Sequence, residues 1–243
     1  MKVKLMILAA GLGTRLGEIG KTTPKCLLEV GGKTLLEHIL VKARTAGINQ
    51  VVINTHHLAQ KISDFLAENK NFGFEIDFSN EDPILETGGG IKKAQEFLND
   101  ADIIIVHNGD IYSDFEFQPL IDFHLQKKCL VSLCVFKKDS DRSLVFDTDH
   151  NLCGWSNKSS GQQKIIGAAG VNVINFGFTG IYAFSPKFFN YMLAEEKFSV
   201  IDVFLNAAKS NEELKYLEIS DFNWYDAGTP EKLELLRQFL SKQ

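Results

Sequence analysis

The chain has 243 residues, with 31 acidic and 26 basic side chains and a net charge of −5. That balance excludes a nucleic-acid footprint, so any phosphate chemistry must rest on a few local basic residues. Hydrophobic residues at 44% and charged residues at 23% are ordinary for a soluble globular chain, long enough for one large α/β domain with a substantial core.

Taken in order, residues 3–9 form a continuous apolar run, the pattern of a parallel strand covered on both faces. This run is too short for a secretory leader or a membrane span, so no membrane association is expected. Residues 35–46 carry apolar side chains at helical spacing and stop at Gly47. Residues 50–54 read as a strand, 58–66 as a helix and 74–78 as an alternating strand. A helix over 91–98 is opened by a glycine run; a buried strand over 103–107 and a helix over 119–127 follow. This alternation predicts a doubly wound, mostly parallel, Rossmann-like α/β sheet. After Cys129 the rhythm changes. Residues 130–136, 143–147, 152–155, 165–174 and 178–184 read as strands without long helices between them. They predict a smaller antiparallel insertion over the sheet, walling a substrate pocket. Helices over 199–208 and 230–240 close the chain, the second with Thr229 as N-cap and Pro230 at its first position. Four cysteines, Cys26, Cys129, Cys134 and Cys153, show no CxxC or zinc spacing, which fits a reduced cytoplasm.

The loop after the first strand is the most informative stretch. It reads Ala9-Ala10-Gly11-Leu12-Gly13-Thr14-Arg15-Leu16, and Thr23-Pro24-Lys25 follows. Small residues let backbone N–H groups approach a phosphate, and Arg15 and Lys25 supply charge to hold it. The dinucleotide fingerprint is excluded because Leu16 stands where its third glycine belongs. The P-loop is excluded because Arg15 and Leu27 stand five residues before Gly20-Lys21-Thr22 and Gly32-Lys33-Thr34. A plain glycine turn after a buried strand is the alternative for this loop alone. Asp110 follows a buried strand, at the kind of strand end where open α/β sheets bind ligands. A carboxylate there, beside phosphates, suits Mg²⁺, although a turn aspartate has the same signature. His56 and His57 are adjacent, so their side chains diverge and do not form a metal pair.

Gly11-Leu12-Gly13-Thr14-Arg15-Leu16, followed by Pro24-Lys25, resembles the opening of the sugar-1-phosphate nucleotidylyltransferases. Two departures touch loop shape: Gly17-Glu18-Ile19-Gly20 replaces a proline-containing segment, and Cys26 replaces the second proline of P-K-P. The resemblance continues, in the family's order, through Glu86-Thr87-Gly88-Gly89-Gly90, Asn108-Gly109-Asp110, Phe178-Thr179-Gly180-Ile181-Tyr182 and Trp224-Tyr225-Asp226-Ala227-Gly228-Thr229-Pro230.

What the resemblance implies is specific. One nucleotidylyltransferase domain over 1–243 would comprise a nucleotide-binding half, 1–128, and a sugar-binding, closing half, 129–243. The substrates would be a nucleoside triphosphate and a sugar 1-phosphate. Arg15 and Lys25 would be catalytic. Ala9, Ala10, Gly11, Gly13, Thr14, Glu86, Thr87, Gly88 and Asn108 would bind the nucleotide, and Thr179, Gly180 and Asp202 the sugar. Asp110 and Asp226 would hold Mg²⁺. Phe178 replaces an Asn that contacts the sugar in some members. The segments 85–91 and 108–115 most resemble N-acetylmuramate-1-phosphate uridylyltransferases, with mannose- and heptose-1-phosphate guanylyltransferases as close relatives. The family often adds a C-terminal left-handed β-helix, which is not expected within these residues. Monomer and homodimer both stay open. A glycosyltransferase would show an Asp-x-Asp pair after a strand; Asp100-Ala101-Asp102 precedes one. An inert, nucleotide-sugar-binding homologue would lose Arg15, Lys25 or Asp110, and all are present.

Overall fold

Leu5 and Ile7 face one side of the first strand and Met6 the other, and all are fully buried, as an unbroken apolar run requires. The structure is a computed structural model in which residues 1–137, 140–166 and 173–242 are described. Strand β1 (Val3–Leu8) is followed by α1 (Glu18–Thr22), a small hairpin of β2 (Glu29–Val30) and β3 (Lys33–Thr34), and α2 (Leu35–Thr45). Next come β4 (Gln50–Thr55), α3 (Ala59–Glu68), β5 (Glu75–Asn80), α4 (Glu86–Lys93) and α5 (Gln95–Leu98). Then β6 (Ile103–Asn108) leads to β7 (Ile111–Ser113) and α6 (Phe117–Lys127). The second half holds β8 (Val131–Phe136), β9 (Arg142–Phe146), β10 (Leu152–Asn157), β11 (Gln163–Ile165) and β12 (Ile174–Phe184). It closes with α7 (Val200–Lys209), β13 (Leu214–Glu218), β14 (Trp224–Asp226) and α8 (Pro230–Leu240).

β1 pairs in parallel with β4 on one side and β6 on the other, and β5 extends the parallel set beyond β4. β12 joins β6 antiparallel, and β8 then β13 follow. β12 is long enough to pair two ways: Ile181 to Phe184 lie along β6, and Ile174 to Gly177 along β9. The antiparallel strands β9, β10 and β11 therefore continue the same ten-stranded sheet instead of lying over it. The strand expected over 165–174 passes through 167–172, which lie outside the described residues.

Helices cover both faces. On one, α2, α3 and α6 bury Leu36, Ile39, Ile62 and Leu120 against Leu5, Ile7 and Ile105. On the other, α4, α5 and α7 bury Ile91, Leu98 and Phe204 against Met6, Ile104, Val106 and Tyr182. A third cluster joins Leu16 and Leu28 to Tyr112, Ala227, Leu233 and Leu236, so α8 clamps the loop that follows β1. Burial of Leu16 alone contributes roughly 2 kcal/mol. Helix starts follow local chemistry. Thr34 and Glu37 form a reciprocal capping box on α2, with bonds of 2.7 and 3.1 Å.

The structure corrects the expected position of the glycine run. Gly88, Gly89 and Gly90 lie inside α4 and do not form a loop before it. A Cβ on Gly88 would sit 2.4 Å from the Phe198 ring, one on Gly89 2.2 Å from the Glu196 carbonyl, and one on Gly90 2.5 Å from Glu81 Oε1. Close packing outweighs the low helix propensity of glycine. Among the described residues no helix is long and apolar enough to cross a membrane.

Lys42 is the one buried lysine of α2, and it braces β7: its Nζ donates to the Ser113 carbonyl at 2.6 Å and lies over the Phe117 ring. Burial pushes its pKa down from 10.5 to about 8, against the pull of Glu116 and Asp114. Between those values the unfolded chain binds the proton that the folded chain has released, so this group's contribution to stability rises with pH. Urea unfolding from pH 7 to 10.5 should therefore show wild type gaining on Lys42→Met, by up to roughly 3 kcal/mol. A difference that stays flat across that window would contradict the buried, desolvated lysine.

Candidate active site

Parallel pairing brings the carboxyl ends of β1 and β6 together, with Leu8 opposite Asn108. The Gly109 N–H donates to the Leu8 carbonyl at 2.9 Å, and a Cβ on Gly109 would meet that oxygen at 2.9 Å. Only glycine lets the two exits run so close. Immediately beyond, Lys25 Nζ meets Asp110 Oδ2 at 2.8 Å, with both side chains about one-fifth exposed. Ala9, Ala10, Gly11, Lys25, Glu86, Thr87, Asn108 and Asp110 all line one cavity of about 170 Å³. Cys26 also lines it, but burial pushes its thiol up to about 12, so it is no nucleophile.

Other expected residues stand elsewhere. Gly13 (φ 69°) presses against Gly20, where a Cβ would meet the Gly13 carbonyl at 2.1 Å, and so folds the loop onto α1. Thr14 lines a separate cavity with Lys21 and His57. Arg15 reaches the far end of the chain: a Cβ on Gly228 would lie 3.0 Å from its guanidinium and 2.7 Å from Asp226 Oδ1. Asp226 sits on β14 opposite Ile111 of β7, and the Ala227 N–H donates to the Asp110 carbonyl at 2.9 Å. The backbones at Asp110 and Asp226 are thus joined. The Asp226 carboxylate itself accepts from the Gly228 N–H at 2.7 Å and from Lys232 Nζ at 2.6 Å.

Thr87 caps another helix: its Oγ1 accepts from the Val200 N–H at 2.9 Å, and Gly88 and Gly89 donate to the Phe198 carbonyl. Thr179 is buried, and its hydroxyl donates to the Cys134 carbonyl at 2.8 Å while accepting from the Ile181 N–H. It stabilises the register shift in β12. Gly180 (φ 77°) makes room for Asn108, whose Nδ2 would be 2.5 Å from a Cβ there. Asp202 pairs with Lys164 in a second cavity of about 600 Å³. Glu86 (φ 62°) lines both cavities and marks their junction.

Sequence reasoning missed two residues at the centre. Asn54 is the penultimate residue of β4 and Glu81 follows β5, both almost fully buried. Asn54 Oδ1 accepts from the Ala9 N–H at 2.7 Å, and its Nδ2 donates to Glu81 Oε1 at 2.6 Å. Glu81 Oε2 accepts from the Leu85 N–H at 2.8 Å. The pair pins the glycine loop to the start of α4. The strand-end rule that selected Asp110 applies equally to them. His56 supports the bridge by bonding the Glu81 carbonyl at 2.8 Å.

Residues 4–243 match the family described as Nucleotidyl transferase. The chain belongs to that family. It is 28% identical to UTP--glucose-1-phosphate uridylyltransferase of Synechocystis over 99% of this chain and 64% of that one. It is 40% identical to N-acetylmuramate alpha-1-phosphate uridylyltransferase of Neisseria meningitidis over 47% of this chain and 50% of that one. Among solved structures, HddC from Yersinia pseudotuberculosis complexed with GMP-PN superposes with TM-score 0.77 at 25% identity, over 97% of this chain and 98% of that one. The chain spans from half to just under two thirds of the length of these two curated relatives.

The acidic groups of this nucleotidyl transferase form no ready-made metal cage: no three His, Cys, Asp or Glu gather for one among the described residues. Asp110 commits one carboxylate oxygen to Lys25, whereas Asp226 commits both, to Gly228 and Lys232. Such a set fits a cation that takes one or two carboxylates and completes its shell with phosphate oxygens and water.

The Asn54–Glu81 bridge makes a sharp prediction. Asn54→Asp sets two carboxylates face to face, and Glu81→Gln sets two amide donors face to face. Each single change should cut kcat/KM by about tenfold or more, whereas the double variant keeps both backbone bonds, exchanges donor and acceptor only in the side-chain bond between them, and should recover most of it. Losses that simply multiply in the double variant would show that the bridge does not position the loop.

Proposed function

We propose that this nucleotidyl transferase moves a nucleotidyl group from a nucleoside triphosphate to a sugar 1-phosphate and releases pyrophosphate. The observation that carries this reading is the Lys25–Asp110 pair at the joined exits of β1 and β6, beside the glycine loop and in one cavity with Glu86 and Thr87. A phosphate oxygen of the sugar 1-phosphate attacks the α-phosphorus in line. Its lone pair forms the new P–O bond, the bond to the β-phosphate breaks, and pyrophosphate leaves with that electron pair. A phosphate monoester needs no general base, so catalysis is positioning and charge neutralisation.

Ala9, Ala10, Gly11, Gly13 and Thr14 shape the loop around the triphosphate. Lys25 holds charge that builds at the α-phosphate, and Arg15 draws the leaving pyrophosphate toward Gly228. Asp110, with Asp226, would hold Mg²⁺, which when bound supplies charge to the phosphates and orients them. Glu86, Thr87, Gly88 and Asn108 stand on the base and ribose side. Asp202 stands on the sugar side; Thr179 and Gly180 act there through the backbone they shape.

For substrates we favour UTP with N-acetylmuramate 1-phosphate. Support comes from the 40% identity to the Neisseria protein and from the 85–91 segment. Guanylyl transfer to mannose or heptose 1-phosphate is the second reading, favoured by the likeness of nearly the whole chain to the GMP-PN-bound HddC. Presence of Arg15, Lys25 and Asp110 argues against an inert binding homologue.

Pyrophosphate release, measured with Mg²⁺ for UTP, GTP, CTP and dTTP against N-acetylmuramate, N-acetylglucosamine, glucose, mannose and heptose 1-phosphates, tests the reaction. One pair should dominate. With it, Lys25→Ala and Asp110→Ala should each lower kcat by about a hundredfold or more without unfolding the chain. Normal turnover by either variant would overturn the assignment.

A further inference from the structure

The second cavity holds a cation that the proposed reaction does not use. In the β9–β10–β11 ladder Arg142 stands opposite Asn157, Leu144 opposite Trp155, and Trp155 opposite Lys164. Residues directly opposite share a face of the sheet, so Arg142, Asn157, Trp155 and Lys164 stand on one side. With Ser199 and Asp202, at the start of α7, they line the cavity of about 600 Å³ that Glu86 joins to the nucleotide cavity. That volume accommodates a substituted pyranose.

The charges in this cavity are not equivalent. Lys164 is neutralised by Asp202 and lies over the Trp155 ring, 6.0 Å from its centroid. Arg142 makes no ion pair among the described residues. Its neighbour Asp141 is held by the Ser159 N–H and hydroxyl and acts on the guanidinium only through space. The remaining carboxylate, Glu86, stands at the junction with the nucleotide cavity. Arg142 is exposed at the cavity's edge, and a neutral sugar filling this space offers its guanidinium only hydroxyl oxygens. An acidic substituent on the sugar pairs with it in two parallel hydrogen bonds.

We propose that this cavity selects a sugar 1-phosphate that carries a second, acidic substituent on the sugar, and that Arg142 is the residue that recognises it. The inference rests on the transfer reaction proposed above. Trp155 and Phe178 give apolar walls to the ring, and the Lys164–Asp202 pair offers a donor and an acceptor to hydroxyl groups without net charge.

The test uses matched substrates with the preferred nucleotide. N-acetylmuramate 1-phosphate and N-acetylglucosamine 1-phosphate differ only by the O3 lactyl ether that carries the carboxylate, glucuronate and glucose 1-phosphates differ at C6, and glucose 1,6-bisphosphate offers a phosphate instead. At least one acidic member should exceed its neutral match in kcat/KM by about tenfold or more, a preference weakened by salt. Arg142→Ala should abolish that preference through KM and leave the neutral member within about twofold, and Arg142→Lys should keep part of it. Equal use of acidic and neutral members overturns the inference while leaving the transfer reaction standing. Equal loss for both members in Arg142→Ala does the same. Silence with every sugar phosphate and every nucleotide overturns the transfer reaction itself.

Discussion

Parallel hydrogen bonding among β5, β4, β1 and β6 is the constraint on which the site depends. It sets four carboxyl ends in a row, and each delivers one part: Glu81, Asn54, the loop from Ala9, and Asn108 through Asp110. Backbone pairing then does the close work. The Gly109 N–H ties the β6 exit to the β1 exit, and the Asn54–Glu81 bridge ties the β1 loop to α4. Lys25 and Asp110 meet because both exits are already held. In the proposed reaction this pair would trade its mutual contact for phosphate oxygens and a cation.

The second half of the chain contributes by leaning on this frame. α8 buries Leu233 and Leu236 against Leu16, and β14 pairs with β7 directly after Asp110. Arg15 and Asp226, more than two hundred residues apart in sequence, meet at Gly228 as a result. The side chain that excludes a dinucleotide fingerprint, Leu16, is therefore the one that anchors the loop to the C-terminal helix. β12 does a related job. Its register shift, filled by Thr179, lets one strand serve both the parallel core and the three-stranded extension that walls the second cavity.

Much of this was legible in the residues. Runs such as Val3–Leu8 and Ile103–Asn108 announce two-faced burial, and Thr229-Pro230 announces a helix start. Eight of the expected site residues line one cavity, because loop composition and strand ends are local signals. What escaped depends on distant neighbours. Gly88 to Gly90 read as the opening of a helix, yet they lie inside it, where Phe198, Glu196 and Glu81 leave no room for a side chain. The hydroxyl of Thr179 gave no sign in the sequence of the carbonyl forty-five residues away to which it donates. Asn54 and Glu81 carry no motif; the strand-end rule marks their positions, and their shared hydrogen bonds show what they do. β13, amphipathic and short, drew no attention until β8 was there to pair with it.

The central claim is a single direct displacement at the α-phosphorus by the sugar phosphate. It is tested most directly by the stereochemical course with a chiral α-thio nucleoside triphosphate and the preferred sugar 1-phosphate. The account predicts a nucleotide sugar formed with inversion at phosphorus. Retention, which requires a covalent nucleotidyl-enzyme, or formation of the free monophosphate in place of the nucleotide sugar, would contradict it.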